Sequence, residues 1–346
     1  MKAAVLTSLK NIAITEKPKP EPGPREAVMK VAYCGICGSD VHGYSGEITV
    51  LPGTVMGHEC SGTVTAVGKN VEDVQVGDRV WVKPAAHCNE CYWCRRGKFE
   101  QCPNAFGTSI GLSPNSDGAF AEYLLVKHPE QMLYKLPPEL SFEEAAVIEP
   151  LIVGRHGIRV SRFRLGMTAV VTGAGSIGLG VINFLRIGGA RKIVALEVSP
   201  ARMRIAAEAG ADAVLNPVSE GERLRSSILE VTGGTGADIV FECSGVGAAL
   251  RSTLSYVASG GQIVVIGLHK QEVPFDFWTV LHRKIEVRAS LGCEDDDVYD
   301  VMNAIKKKNI KTESLISDII SLSDIHEKGF KRLLSPNEIV KILVRP

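Results

Sequence analysis

Apolar residues recur along this chain with two different periods, and the change of period divides it. Over residues 1–145 the runs are short and alternating, as in "REAVMKVAYC", "GTVTAVG", "DRVWVKP" and "AFAEYLLV". Gly, Pro and Asp separate them. Alternation broken by turn residues predicts half-buried β-strands, here an irregular barrel or sandwich. From about 165 to 290 the runs become continuously apolar and alternate with stretches of helical length. "MTAVVTG" reads as a strand, "SIGLGVINFLRIGG" as a helix and "KIVALE" as the next strand. "SPARMRIAAEAG" follows as a helix, with Ser199 as N-cap, Pro200 at the first helical position and Gly210 as the stop. "ADIVFECSG", "GGQIVVIGL" and "KIEVRAS" supply further strands. Fully apolar strands alternating with helices predict parallel βαβ units. Beyond 290 the pattern mixes again. "DVYDVMNAIKKKN" predicts an amphipathic helix and "EIVKILVRP" a closing strand, both expected to pack back on the first domain. The expected domains are 1–150 with 290–346, and 151–289 between them.

The middle region holds the first candidate chemistry. "VVTGAGSIGLG" contains Gly173, Gly175 and Gly178 as Gly-x-Gly-x-x-Gly. Three glycines alone are a weak signal in a chain with 35. Here they follow a predicted strand and open a predicted helix, and Glu197 closes the next strand, nineteen residues after Gly178. That setting makes the pattern a dinucleotide-binding fingerprint. Gly173 allows the tight turn, Gly175 lets backbone approach the pyrophosphate, and Gly178 lets helix and strand pack closely. Ser176 and Ile177 open a helix whose free N–H groups face the phosphates. Glu197 can accept from both adenosine ribose hydroxyls and repel a 2′-phosphate, which favours NAD over NADP. Arg202, one helical turn on, works against that preference. The competing reading is a glycine turn with no ligand.

Composition narrows the class. The 346 residues are 45% hydrophobic and 23% charged, with a formal net charge of zero. Nothing here calls for nucleic acid or an anionic membrane. Charge returns at Lys10, before any signal-peptide core can form, and the uncharged stretch Thr168–Leu185 is glycine-rich. A cytoplasmic protein is expected. Of nine cysteines, Cys34, Cys37, Cys60, Cys88, Cys91, Cys94 and Cys102 fall in the first third. An odd number clustered this way suggests metal rather than disulfides.

Cys88, Cys91, Cys94 and Cys102 are spaced C-x2-C-x2-C-x7-C. Four thiolates at this spacing can close a tetrahedral shell on zinc, leaving no open position, so the site is expected to be structural. An iron–sulfur cluster is the alternative, although the ferredoxin spacing is absent. A second set lies in "CGICGSDVHGY" and "VMGHECSG". Cys37, His58 and Glu59 offer sulfur, imidazole and carboxylate, and three protein ligands with an open fourth position suit a catalytic zinc. Such a zinc lowers the pKa of a bound hydroxyl, whose carbon can then give hydride to nicotinamide. The competing reading is a structural His58 beside a solvated Glu59. Ser39 and His42 flank Asp40 and can carry a proton outward. Asp40 can instead orient His58, or Ser39 and Asp40 can serve as a helix cap.

With these motifs in this order, together with "IEPLIVGRHG", the chain resembles the zinc-dependent medium-chain dehydrogenases/reductases from about residue 1 to its C-terminus. The resemblance implies an α/β protein: a Rossmann doubly wound parallel sheet domain inserted in a GroES-like β-rich catalytic domain, with the active site in the cleft between them. Within the family it looks most similar to the polyol branch of sorbitol, threonine and butanediol dehydrogenases. Cys37, His58 and Glu59 then match catalytic zinc ligands, and Glu149 in "EPL" matches an acid that ligates zinc or holds its water. Ser39 and His42 match the proton relay, which passes through the cofactor ribose, and Asp40 matches the partner of the histidine ligand. Cys88, Cys91, Cys94 and Cys102 match the structural zinc site. Glu197 and Arg202 match ribose contacts, and Gly267 a cofactor contact.

The implied cofactors are NAD and two zinc ions per chain. The implied reaction is reversible oxidation of a secondary alcohol to a ketone, with a vicinal diol, polyol or hydroxy amino acid as substrate. The chain departs from the branch after His42, at Cys60, and around His269, Phe275, Phe277 and Trp278. These segments, with Tyr44, are expected to shape the substrate pocket. A larger or acyl-linked alcohol is therefore the alternative substrate. A non-catalytic NAD(H)-binding protein and a zinc-free reductase are the other readings, and the filled ligand positions disfavour both. A homotetramer or homodimer is implied, with "KIEVRAS" as the candidate pairing strand.

Overall fold

Three β-sheets carry the described part of the chain in a computed structural model that describes residues 1–114, 116–335 and 338–346. The chain divides into two compact units, Met1–Glu149 with Leu315–Pro346, and Pro150–Ser314. In the first, β1 (Lys2–Ser8) and β2 (Asn11–Glu16) form an antiparallel ribbon. The main strands follow: β3 (Ala27–Gly35), β4 (Glu59–Val67), β5 (Arg79–Val82), β6 (Tyr123–Val126) and β7 (Leu133–Lys135). The second unit holds β8 (Thr168–Thr172), β9 (Lys192–Leu196), β10 (Ala213–Leu215), β11 (Ala237–Glu242), β12 (Val257–Val265) and β13 (Glu286–Ala289). The chain then returns through β14 (Ile316–Ser321) and β15 (Lys341–Arg345) to complete the first unit.

The first unit's large sheet runs β14-β15-β3-β4-β5-β7, with β6 also on β3. Its alternating strands bury one set of side chains in a core that includes Met29, Val64, Phe120, Leu124 and Phe330. Register places Cys34 opposite Cys60, Gly35 opposite Glu59, and Leu343 of β15 opposite Gly35. The second unit is a six-stranded parallel sheet, β10-β9-β8-β11-β12-β13. Its central strands β8 and β11 are buried almost throughout, as continuous apolar runs require. Ser199 caps the helix Pro200–Glu208 by accepting from Arg202 N, and Gly210 follows at φ +110°.

The helix Asp295–Lys306, grouped by its pattern with the C-terminal tail, belongs to the second unit. It buries Val298, Val301, Met302 and Ile305. Asp297, fully buried, ties it to the helix Ile148–Val160, accepting from His156 Nδ1 at 2.8 Å and from Arg159 Nε at 2.7 Å. Burial opposes ionisation of Asp297, but the hydrogen bonds from His156 and Arg159 more than offset this and hold its carboxyl below the ordinary range. A carboxylate with a depressed folded pKa adds stability above its unfolded value, and that stability is lost as pH falls through the folded value. Asp297→Asn should therefore cost about 3 kcal/mol at neutral pH, where the part-buried Arg159 and the buried His156 lose their charged acceptor. The gap from the unaltered protein should close as pH falls below about 4. Urea unfolding at several pH values checks this, and a pH-independent gap would contradict it.

Candidate active site and metal centres

The first unit gathers two sets of metal-ligand side chains. Cys88, Cys91, Cys94 and Cys102 bring their sulfurs within 4.8 Å of one another. They sit in a lobe of short 3-10 turns, Cys94–Arg96, Phe99–Gln101 and Ala105–Thr108, with little core of its own. Cys88 Sγ lies 3.6 Å from Cys102 Sγ and 4.0 Å from Cys94 Sγ. Backbone N–H groups of Cys88 and Cys94 point at the sulfurs of Cys102 and Cys91. All nine cysteines are free thiols. Backbone hydrogen bonds, first that from Glu90, pull Cys88 down to about 6, whereas burial and then the neighbouring thiols push Cys94 up to about 12. Thiols crowded so that one ionises at another's expense fit a bound cation that lets all four ionise.

In the second set, Cys37, Glu59 and Glu149 bring their ligand atoms within 4.8 Å. Cys37 follows β3 and caps the helix Gly38–Ser45. Glu59 opens β4, and Glu149 lies in the first turn of the helix Ile148–Val160. His58 stands beside Cys37, with Nε2 3.2 Å from Ser39 Oγ. Its other nitrogen, Nδ1, is 3.4 Å from Asp40 Oδ1, an ion-pair distance without hydrogen-bond alignment. Asp40 is fully buried and also accepts from Cys37 N at 2.9 Å and Gly57 N at 3.2 Å. Asp40 makes the cap contact, and His58 lies at ion-pair distance from the same carboxylate. Burial opposes charge on His58, but Asp40 and Cys37 raise its pKa well above the ordinary value.

The electrostatics suit a cation. Burial, then the charge of Glu59, raises the Cys37 thiol, while His58 works the other way. Burial and then Glu59 push Glu149 up to about 7. Glu59 Oε2 is buried with no hydrogen-bond partner among the described residues. Three acids crowded together, one with an orphaned oxygen, fit zinc. Cys34 and Cys60, by contrast, are raised mainly by burial and sit in the core.

The sequence pattern left two partners unrecognised. Lys341 Nζ, buried on β15, lies 2.6 Å from Glu59 Oε1 and also donates to Ile36 O. Its only signal is a lone charge opening the apolar "KILV". His42 Nδ1 lies 2.8 Å from Glu47 Oε2 at the rim of the same helix. Tyr44, expected at the pocket, is instead core: it is buried, donates to Lys10 O and packs on Phe330. Asp40 and Tyr44, one helical turn apart, both fall on the inward face of so short a helix.

The second unit presents the glycine turn. Gly175 precedes the helix Ser176–Ile187, and Gly173 sits at φ +85°. A Cβ on Gly178 would stand 1.9 Å from Gly173 O, whereas one on Gly175 would meet nothing within 4 Å. Gly178 is required by packing. Gly175 keeps space open above the helix N-terminus. Glu197 is more occupied than expected: Oε2 accepts from Ala174 N, and Oε1 from Val198 N and Ser199 N. It therefore fixes the glycine turn and the start of the following helix. Gly267 follows β12 at the same carboxyl-terminal edge of the sheet. Among the described residues, no helix is long and apolar enough to cross a membrane.

A sheet and site of this kind define a zinc-binding, nicotinamide-dependent dehydrogenase. A family model described as Alcohol dehydrogenase GroES-like domain matches residues 23–138, and one described as Zinc-binding dehydrogenase matches residues 176–307. The chain belongs to the zinc-dependent medium-chain dehydrogenases/reductases, in their polyol branch. It is 35% identical to (R,R)-butanediol dehydrogenase of Bacillus subtilis over all of both chains, and 32% identical to that organism's sorbitol dehydrogenase over 100% of this chain and 97% of the relative. The crystal structure of 2R,3R-butanediol dehydrogenase from B. subtilis superposes with a TM-score of 0.90 at 34% identity, covering 100% and 99% of the two chains. A zinc-binding dehydrogenase of Sinorhizobium meliloti 1021, solved bound to NADP, gives 0.91 at 31% identity with the same coverage.

Lys341→Met should leave Glu59 buried without its cation and cost about 3–5 kcal/mol in zinc-free protein. Urea unfolding after chelation reads this, and an unchanged midpoint would show that the pair does not balance the site.

Proposed function

We propose that this enzyme oxidises a secondary alcohol of the vicinal diol, polyol or hydroxy amino acid class to a ketone, reversibly, with NAD as acceptor. The observation that carries the reading is the set of three acids, Cys37, Glu59 and Glu149, converging within 4.8 Å beside His58. Cys37, His58 and Glu59 would hold one zinc, with Glu149 ligating it or holding its water, and Cys88, Cys91, Cys94 and Cys102 would hold a second. Zinc, when bound, polarises the substrate hydroxyl, and NAD, when bound, accepts the hydride. Ser39, whose Oγ lies 3.2 Å from His58 Nε2, is placed to take the hydroxyl proton. His42, paired with Glu47, delivers it outward. Asp40 holds His58 in orientation. Glu149 is placed to ligate the metal or to hold its water.

Gly173, Gly175, Ser176, Ile177, Gly178 and Gly267 would seat the dinucleotide, with Glu197 and Arg202 at the adenosine ribose. The buried carboxylate of Glu197 supports NAD over NADP. Nine free thiols support a reducing, cytoplasmic setting. A homodimer, or a tetramer of such dimers, would form over the β13 edge, where Phe277, Trp278 and Leu281 are strongly exposed on the neighbouring helix.

Cys37→Ser should abolish turnover on butanediols, sorbitol, xylitol, inositols and threonine and lower bound zinc from about two to about one per chain. Metal analysis with NAD reduction checks both. Full activity in the variant would contradict the assignment. No turnover by zinc-loaded wild type on any of these would favour the larger or acyl-linked alcohol. Glu197→Ala should weaken NADH binding more than NADPH binding, and equal losses would count against its ribose role.

A further inference from the structure

We propose that Glu242 and His269 form a latch that positions the nicotinamide half of the dinucleotide site, a role that rests on the reading of the second unit as NAD-binding. The sheet order reverses direction between β8 and β11. In open parallel sheets the ligand lies beyond the carboxyl ends of the strands at such a reversal. The glycine turn after β8 takes the pyrophosphate, so the nicotinamide half falls over the ends of β11 and β12.

Glu242 is the last residue of β11 and is fully buried. Its Oε1 accepts from the backbone of Ser244 at 2.8 Å and of Gly245 at 3.1 Å, and from the Ser244 hydroxyl. Thr172, at the end of β8, donates to the same oxygen at 3.5 Å. Oε2 lies 2.9 Å from His269 Nε2. An ionised carboxylate only accepts, so Nε2 donates. One buried carboxylate thus ties together the ends of β8 and β11 and the loop after β12.

That loop carries Gly267 and Leu268. Gly267 N donates to Glu242 O at 2.9 Å. Leu268 O lies 2.7 Å from where a Cβ on Gly245 would stand, and Gly245 sits at φ +66°, so the loop rests directly on the turn that Glu242 organises. A second observation points to a ligand. His269 Nδ1 is buried with no hydrogen-bond partner among the described residues. Buried polar atoms are nearly always paired, so an orphan here marks a loop whose hydrogen bonding is completed by what it binds. The latch is not legible as a motif, because Glu242 and His269 stand 27 residues apart on different strand ends.

The test compares NADH with ADP-ribose, which lacks the nicotinamide, by titration calorimetry on the full-length zinc-loaded enzyme. His269→Ala should weaken NADH about tenfold and leave ADP-ribose within about twofold of wild type. His269→Gln, which keeps a donor to Glu242, should restore NADH affinity to within about threefold. Equal weakening of both ligands would show a merely structural histidine and overturn the latch. Unchanged NADH affinity in His269→Ala would overturn it too. If the wild-type enzyme binds neither ligand, the dinucleotide reading itself fails, and the latch falls with it.

Discussion

Within the first unit, a thiol and two carboxylates, those of Cys37, Glu59 and Glu149, are held within 4.8 Å of each other in surroundings where Glu59 is wholly buried. Like charges so close cannot all ionise without a cation. The ammonium of Lys341 meets one oxygen of Glu59, and the other oxygen has no hydrogen-bond partner among the described residues. Much of the surrounding architecture serves this constraint. β3 delivers Cys37, β4 begins at Glu59, and β15 pairs with β3 to bring in Lys341 from the far end of the chain. Returning the C-terminus to the first unit is therefore an electrostatic requirement as well as a packing one.

The second unit solves a different problem. Its parallel strands end at one edge, where backbone N–H groups and turn glycines are left to be organised. Two buried glutamates do this. Glu197 accepts from three backbone N–H groups around the glycine turn, and Glu242 gathers the turn after β11 and the loop after β12. Each acid is placed at a strand end, where it satisfies donors that the sheet cannot pair.

The division into a β-rich unit and a βαβ unit was legible from the change of hydrophobic period. The glycine turn and the four-cysteine cluster follow from residue type and spacing, whereas Glu149 joins Cys37 and Glu59 only through the family resemblance. What escaped were contacts that join distant segments. Lys341 and Glu59 lie 282 residues apart, and only the sheet register places them together. Asp297 bonds His156 across 141 residues, which is why the helix Asp295–Lys306 sits in the second unit although its pattern resembled a tail element. Tyr44 failed as a pocket residue because composition cannot tell which face of an eight-residue helix is buried. Glu197 was seen as a ribose acceptor, but its backbone partners depend on the folded turn.

Zinc K-edge X-ray absorption on the purified enzyme tests the central claim most directly. One zinc held by Cys37, His58, Glu59 and either Glu149 or the water it holds, and a second held by four cysteines, would give a mixed average shell. About 2.5 sulfur neighbours near 2.3 Å and about 1.5 nitrogen or oxygen neighbours near 2.0–2.1 Å per zinc are expected. A pure four-sulfur shell would mean that the acids around Glu59 hold no zinc, and would contradict the account.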